Sequence, residues 1–307
     1  MISVIVPCFN EREVLPAMYA ELERVRKEDF CGVAEFEYIF VDDGSSDGTV
    51  GFIKELRRSD KRVRFISFSR NFGKEAAISA GLQAAKGDLV TLMDADLQDP
   101  PSLLKTMYDA IVNEGHEQVA TRRVTRKGEP PLRSFCARMF YKLINSASDF
   151  EMTAGARDYR LMTRKVVDAI LSLPEKSRYS KGIFSFVGFR TKWIPYENVE
   201  RAAGKTKWSF RKLFRYATDG LISFSDLFLK FSRFLCALFF IFFFALAISS
   251  VILKNSALAV LGVGFLVGGT VLVSQSVNGK YLEQTFREVK QRPLYIISET
   301  ERDGEKE

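Results

Sequence analysis

The chain has 307 residues, 47% of them hydrophobic and 27% charged, enough apolar material for a buried core, which excludes global disorder. Lys and Arg exceed Asp and Glu by 45 − 38 = 7, a mild basic excess that suits nucleic acid, anionic lipid or a phosphorylated substrate. Cys8, Cys31, Cys136 and Cys236 are far apart and form no C-x-x-C, which argues against a disulfide scaffold or zinc module, and the single histidine, His116, leaves little for a histidine-based mechanism.

In chain order, Ile2 to Pro7 has the pattern of a strand and Glu13 to Lys27 that of a helix. Phe36 to Val41 is a second strand that runs into Asp42-Asp43-Gly44-Ser45-Ser46-Asp47-Gly48, followed by a helix to Arg58. Val63 to Phe68 is strand, Lys74 to Ala85 helix and Asp88 to Met93 strand; Pro100-Pro101 then opens a helix to about Asn113, with His116 in an exposed, structural turn beyond it. Strands alternating with helices of this length predict an α/β fold with a mostly parallel sheet and right-handed crossovers. Ligands of such sheets bind outside the carboxyl ends of the strands.

The late part of the chain differs. Trp208, Phe210, Leu213, Phe214, Ala217, Leu221 and Phe224 recur at helical spacing among basic residues, as in a helix lying in a membrane interface. Phe234 to Leu253 is uncharged, and after Lys254-Asn255-Ser256 a second uncharged run extends from Ala257 to Val273. At about 1.5 Å per helical residue each run can cross roughly 30 Å of hydrocarbon. The short connection between them predicts a two-helix transmembrane hairpin. Residues 201–233 carry eight basic and two acidic side chains, and 280–292 four basic and two acidic. The positive-inside rule then predicts a multi-pass protein of the cell membrane with its larger part and both termini cytoplasmic. Basic charge beside a membrane favours lipid headgroups over nucleic acid as its partner. The predicted divisions are a cytoplasmic domain over 1–206, an amphipathic juxtamembrane helix over 207–230, the hairpin over 231–279 and a cytoplasmic tail over 280–307.

No G-x-G-x-x-G follows a strand, and Gly204-Lys205-Thr206 lacks the upstream glycine of a phosphate loop because residue 199 is Val. Two acidic clusters remain at strand ends, Asp42-Asp43 and Asp94-Ala95-Asp96. Side chains at i and i+2 of an extended segment share a face, so Asp94 and Asp96 together suit one hard divalent cation, Mg²⁺ or Mn²⁺, able to neutralise a diphosphate.

These segments carry a resemblance. Ser3-Val4-Ile5-Val6-Pro7-Cys8-Phe9-Asn10-Glu11, Val41-Asp42-Asp43-Gly44-Ser45-Ser46-Asp47-Gly48-Thr49, Ser69-Arg70-Asn71-Phe72-Gly73-Lys74 and Met93-Asp94-Ala95-Asp96-Leu97-Gln98-Asp99-Pro100-Pro101 resemble the family 2 inverting glycosyltransferases. More narrowly they resemble the polyprenyl-phosphate subgroup, as do Asp158-Tyr159-Arg160-Leu161-Met162, the stretch from Arg201 to Ser209, and Gly279-Lys280-Tyr281-Leu282 with Lys290-Gln291-Arg292-Pro293. The resemblance implies a GT-A type, Rossmann-like nucleotide-sugar domain. It implies Asp42 and Asp43 against the base and ribose of a nucleotide-sugar donor, with Pro7, Asn10 and Glu11 as the other wall. It implies Asp96 as main metal ligand helped by Asp94, Gln98 beside the diphosphate, Asp158 as a further catalytic acidic residue, and Arg122, Arg123, Arg126, Arg133, Arg201 and Lys207 on phosphates of donor or acceptor.

The implied reaction moves a sugar, UDP-glucose as first choice of donor and UDP-N-acetylglucosamine next, onto a polyprenyl phosphate for cell-envelope glycosylation. A lipid phosphate is ionised at neutral pH and attacks without a general base, which fits a chain with one histidine. Members of the family often form homo-oligomers. The competing expectation is a non-catalytic membrane scaffold that keeps the fold and recruits a flippase or polymer-modifying enzyme; the carboxylates and Arg201 argue against it.

Overall fold

The computed structural model describes residues 1–124, 131–148, 150–197, 210–254 and 256–303, and within the helices it gives no side-chain positions for 131–135, 210–216, 258, 261 and 265. The elements are β1 (Ile2–Cys8), α1 (Leu15–Asp29), β2 (Phe36–Asp42), α2 (Thr49–Ser59), β3 (Val63–Phe68), α3 (Lys74–Ala84), β4 (Leu89–Leu92), α4 (Leu103–Val112), β5 (Gln118–Arg123) and α5 (Pro131–Ala147). They continue with β6 (Ala156–Thr163), α6 (Arg164–Ser172), α7 (Ser180–Phe186), β7 (Thr191–Tyr196), α8 (Phe210–Phe224), α9 (Leu227–Leu253), α10 (Ser256–Val289) and β8 (Ile297–Thr300). The expected βαβα series is present from β1 to α4.

The strands form one sheet in the order β7-β5-β6-β4-β1-β2-β3-β8. The pairs β1–β2, β1–β4, β2–β3 and β5–β7 are parallel; β6 is antiparallel to both β4 and β5, and β8 is antiparallel to β3. The chain runs outward from β1 to β3 and then crosses back to lay β4 on the other side of β1. The carboxyl ends of β1 and β4 therefore flank a topological switch point, where open α/β sheets bind ligands.

Strand periodicity of two sorts the core into layers. Val4, Val6, Tyr38 and Phe40 face α1, α2 and α4 through Leu15, Met18, Leu22, Ile53, Leu104 and Met107. Ile5, Ile39, Val41, Val90, Leu92 and Met162 face α3, α6 and α7. Helix α3 approaches closely because Gly81 leaves room: a Cβ there would stand 2.3 Å from Ile5 Cγ2. Burial on both faces explains why β1, β2 and β4 are almost continuously apolar rather than alternating.

Helix α9 contributes no buried residue to the fold, and its Phe240, Ile241 and Val251 are 65%, 69% and 78% exposed. Among the described residues it is the one helix long and apolar enough to cross a membrane. Helix α10 returns along it: Gly262 packs on Leu246, Gly269 approaches Phe239, and Ser274 meets Ser232 and Cys236. It runs on to Val289, beyond the second apolar run, and the chain then re-enters the sheet. Tyr295 stacks on Phe68 with ring centroids 4.8 Å apart, β8 pairs with β3, and Arg64 links Glu37 and Glu301. The last strand comes from the segment expected only as a tail.

His116 departs from expectation. It is half-buried rather than exposed, with its Nε2 3.3 Å from Glu114 and its Nδ1 buried without a hydrogen-bond partner. The turn is tied to the end of α4, with His116 N donating to Ala110 O at 3.3 Å. None of the four cysteines is in a disulfide.

Candidate active site

The carboxyl edge of the sheet is built from four loops. The loop after β1 is tied to the one after β2: Asn10 N donates to Ser45 Oγ at 2.8 Å, Ser46 N to Asn10 Oδ1 at 2.9 Å and Glu11 N to Thr49 Oγ1 at 3.0 Å. Asn10 adopts φ +54° to make that turn, and Leu97, just after Asp96, adopts φ +56°. Positive φ at two non-glycine residues of the same edge is the backbone strain that functional loops retain.

Asp42 and Asp43 lie at the end of β2 and are 1% and 4% exposed. Asp42 accepts from Ser45 N and, at 3.0 Å, from Ser67 Oγ. Asp43 accepts from Phe72 N at 2.6 Å and Gly73 N at 2.9 Å. Burial pushes the Asp43 carboxyl above its usual range despite these two amides. Gly44 makes the arrangement feasible. Its φ is +71°, and a Cβ would fall 2.4 Å from the Arg70 carbonyl carbon. Asp43 thus clamps the 69–73 loop to β2, while Asp42 ties the end of β2 to Ser67 of β3 and to the turn at Ser45.

The β4 half carries Asp94, Asp96, Gln98 and Asp158. Register pairs Leu92 with Arg160, so antiparallel β6 brings Asp158 alongside Asp94. Both project on the α3 face, where Lys74, the first residue of α3, reaches up between them. Its Nζ lies 2.6 Å from Asp94 Oδ1 and 2.6 Å from Asp158 Oδ2. The other oxygen of Asp158 is buried with no hydrogen-bond partner. Burial alone would raise the Asp158 carboxyl, but the Lys74 ammonium outweighs it and holds the group well below the carboxylate range; burial opposes the Lys74 charge and the two carboxylates overcome it, raising the amine. Asp96 is half-buried and its Oδ1 accepts Gln98 N at 3.2 Å.

A supporting network lies on the other face. Arg157 Nε contacts Asp99 Oδ1 at 3.1 Å, Tyr196 also donates to Asp99, and an Arg157 amine lies 3.5 Å from Gln98 Oε1. Asp99 is buried, which raises its carboxyl while Arg157 opposes the shift. This network fixes the turn that carries Asp96 and Gln98. Neither Lys74 nor Arg157, Asp99 and Tyr196 stood out as functional in the sequence. Lys74 closes the Arg70-Asn71-Phe72-Gly73-Lys74 motif, and that was the available signal; the others are joined only by the sheet.

Of the expected phosphate-binding residues, Arg122 is exposed at the carboxyl end of β5, and Arg123 is half-buried with its N donating to Gly155 O at 3.1 Å. Arg133 lies on α5, where no side-chain position is described, and Arg126, Arg201 and Lys207 fall outside the described residues.

Among the described residues no group of three His, Cys, Asp or Glu side chains converges. Asp96 and Asp94, all-oxygen and partly open although Lys74 holds Asp94 Oδ1, would suit a Mg²⁺-like ion, which would have to draw further ligands from outside the protein.

Comparison with known proteins agrees with this architecture. The profile described as Glycosyl transferase family 2 matches residues 3–171. CsbB of Bacillus subtilis (strain 168), provisionally named a glycosyltransferase, is 39% identical over 97% of this chain and 92% of its own. The SfII prophage-derived bactoprenol glucosyl transferase of Shigella flexneri is 36% identical over 98% of each chain. Among solved structures, mannosyl-3-phosphoglycerate synthase from Rubrobacter xylanophilus superposes with TM-score 0.52 at 18% identity, covering 71% of each chain. Glucosyl-3-phosphoglycerate synthase from Mycobacterium tuberculosis, in complex with Mn²⁺, UDP and phosphoglyceric acid, gives 0.50 at 17% identity, covering 72% of this chain and 76% of that one. These two show the shared fold. The chain belongs to glycosyltransferase family 2.

Proposed function

We propose that this family 2 glycosyltransferase transfers a sugar, glucose by preference, from a nucleotide-sugar to a polyprenyl phosphate at a membrane surface. The carrying observation is the Asp94–Lys74–Asp158 arrangement beside Asp96 at the switch point of the sheet, on a chain whose α9 is an exposed apolar helix. Similarity over nearly the whole length to a bactoprenol glucosyl transferase supports the lipid acceptor and glucose. UDP and Mn²⁺ in a protein of the same fold support a uridine nucleotide and a divalent cation.

In this proposal Pro7, Asn10, Glu11, Asp42 and Asp43 frame the nucleotide, and Asp96 with Asp94 holds the cation. A bound Mg²⁺ or Mn²⁺ supplies positive charge to the departing diphosphate. Gln98 orients Asp96, and Asp158, kept ionised by Lys74, gives the sugar side of the site its negative charge. Arg122, Arg123, Arg126, Arg133, Arg201 and Lys207 bind phosphates, for which the guanidinium fork is suited. The acceptor phosphate is its own nucleophile, and in-line attack inverts the anomeric centre.

The membrane part of the proposal has α9 and α10 as a two-span hairpin, both termini cytoplasmic and Lys254 on the far side. Its divisions are a catalytic domain over 1–206, the juxtamembrane segment 207–230, spans within 231–279 and a tail from 280, with self-association into a homo-oligomer.

The test is transfer of labelled sugar from UDP-glucose or UDP-N-acetylglucosamine into an organic-soluble product with polyprenyl phosphate. Asp96→Ala should lose more than 100-fold in rate while thermal unfolding is unchanged. Full activity of that variant, or after exhaustive chelation, rejects the metal assignment. Absence of a lipid-linked product with any donor rejects the acceptor.

A further inference from the structure

An ammonium and a divalent cation have a claim on the same carboxylate. Lys74 Nζ lies 2.6 Å from Asp94 Oδ1, and Asp94 is one of the two side chains, with Asp96, that suit a Mg²⁺-like ion. An ion on Asp94 would sit about 2.0–2.1 Å from one of its oxygens. An ammonium still bound to that carboxylate would face a doubly charged ion across a single acidic group. Like charges that close repel, so the ion and Lys74 compete for Asp94.

Lys74 has somewhere else to go. Asp158 Oδ2 is also 2.6 Å from its Nζ, so two carboxylates share the ammonium. The other oxygen of Asp158, Oδ1, is buried with no hydrogen-bond partner. A lysine ammonium has three donors on a flexible four-carbon stem. Asp94 and Asp158 Oδ2 account for two, which leaves one for the empty oxygen of Asp158. Burial separates the two partners: the Asp158 side chain is 15% exposed and that of Asp94 29%. The drier carboxylate keeps the ammonium, and the wetter one is open to an ion from solution.

The backbone confines this exchange to the side chain. Gly73, at φ +102°, donates its N to Asp43 Oδ2 at 2.9 Å, which fixes where α3 begins and where Lys74 leaves it. The neighbouring cation, Arg157, is held by Asp99 at 3.1 Å on the other face of the sheet.

We infer that Lys74 is an internal counter-cation: it occupies the Asp94 half of the metal site until a divalent cation arrives, then withdraws wholly onto Asp158. The inference rests on the metal reading proposed above and adds to it that Lys74 sets the metal affinity. Strands β4 and β6 bring Asp94 and Asp158 side by side, and Lys74 keeps them neutralised while no ion is bound. Metal uptake is then opposed by the displacement of Lys74.

The test is Mn²⁺ binding to the full chain in detergent, followed by the electron paramagnetic resonance signal of free Mn²⁺, with no sugar transfer involved. Lys74→Met should bind Mn²⁺ about tenfold or more tightly than the native chain. Asp158→Asn should bind it more weakly, because Lys74 then has Asp94 alone. The deciding variant is Lys74→Met/Asp158→Asn. It keeps the net charge of the native chain, so the general field at the site is unchanged, but it lacks the competing ammonium. It also strands no buried carboxylate, so it serves where Lys74→Met alone fails to fold. It too should bind about tenfold or more tightly than the native chain. Mn²⁺ that stays bound when Asp96→Ala is added lies elsewhere and is subtracted. Native affinity in the double variant, or tighter binding by Asp158→Asn, overturns the inference and leaves the metal reading standing. No Mn²⁺ bound through Asp96 in any variant overturns both.

Discussion

Replacing Lys74 with methionine removes the one cation among the described residues that touches both Asp94 and Asp158 while keeping most of the side-chain volume. Opposite unit charges 2.6 Å apart attract by about 6 kcal/mol at an effective dielectric of about 20, before desolvation is subtracted. Removing one partner of a buried pair costs about 3–5 kcal/mol because the other charge stays behind. Lys74 and Asp94 are 30% and 29% exposed and Asp158 only 15%, so solvent relieves Asp94 but not Asp158. The expected loss is the lower end, about 3 kcal/mol at pH 7, or roughly 6–12 °C in Tm. The pH dependence identifies the cause. In the native chain the lowered Asp158 carboxyl contributes stability that is present above the unfolded value of about 3.9 and is lost as pH falls through the lower folded value. Without Lys74, burial raises the same carboxyl, and the variant loses stability as pH rises from the unfolded value toward the raised folded one. The deficit should therefore widen between pH 4 and pH 7. Chemical denaturation of the full chain in detergent across that range measures it, and Lys74→Met/Asp158→Asn should recover more than half of the loss. An unchanged midpoint at pH 7, a deficit independent of pH, or no rescue by Asp158→Asn would refute the electrostatic account.

Three other outcomes follow from the geometry. Arg157→Ala leaves the Asp99 carboxylate, 1% exposed, with Tyr196 but without its cation, and should cost about 3 kcal/mol at neutral pH, the loss shrinking as pH falls because burial favours the protonated form of Asp99; the same denaturation series measures it. Gly44→Ala forces a Cβ to within 2.4 Å of the Arg70 backbone at φ +71° and should cost about 2 kcal/mol or more, with weaker nucleotide-sugar binding by calorimetry because the Asp43 clamp on the 69–73 loop opens. Truncation after Arg292 removes the Tyr295–Phe68 stack, β8 and the Arg64–Glu301 pair, and should lower Tm by several degrees and speed proteolysis along the exposed β3 edge.

The sequence by itself determined the elements from β1 to α4, because two-sided burial leaves apolar strands bounded by Asp, Gly and Pro turns, and those are local signals. The carboxylates Asp42, Asp43, Asp94 and Asp96 were legible for the same reason: each sits where an apolar strand stops. The uncharged run that became α9 was legible from length alone. What only the tertiary structure decided is pairing between distant segments. Strand β6 runs antiparallel into the sheet and carries Asp158 to Asp94, and α3 starts at the height that lets Lys74 bridge them; register between residues far apart in sequence sets both distances. Arg157, Asp99 and Tyr196 meet for the same reason. Strand β8 was illegible because four residues with two exposed and two half-buried side chains show no alternation, and only the open edge of β3 makes them a strand. Local pattern fixes what a segment is, and non-local register fixes which of its side chains become a site.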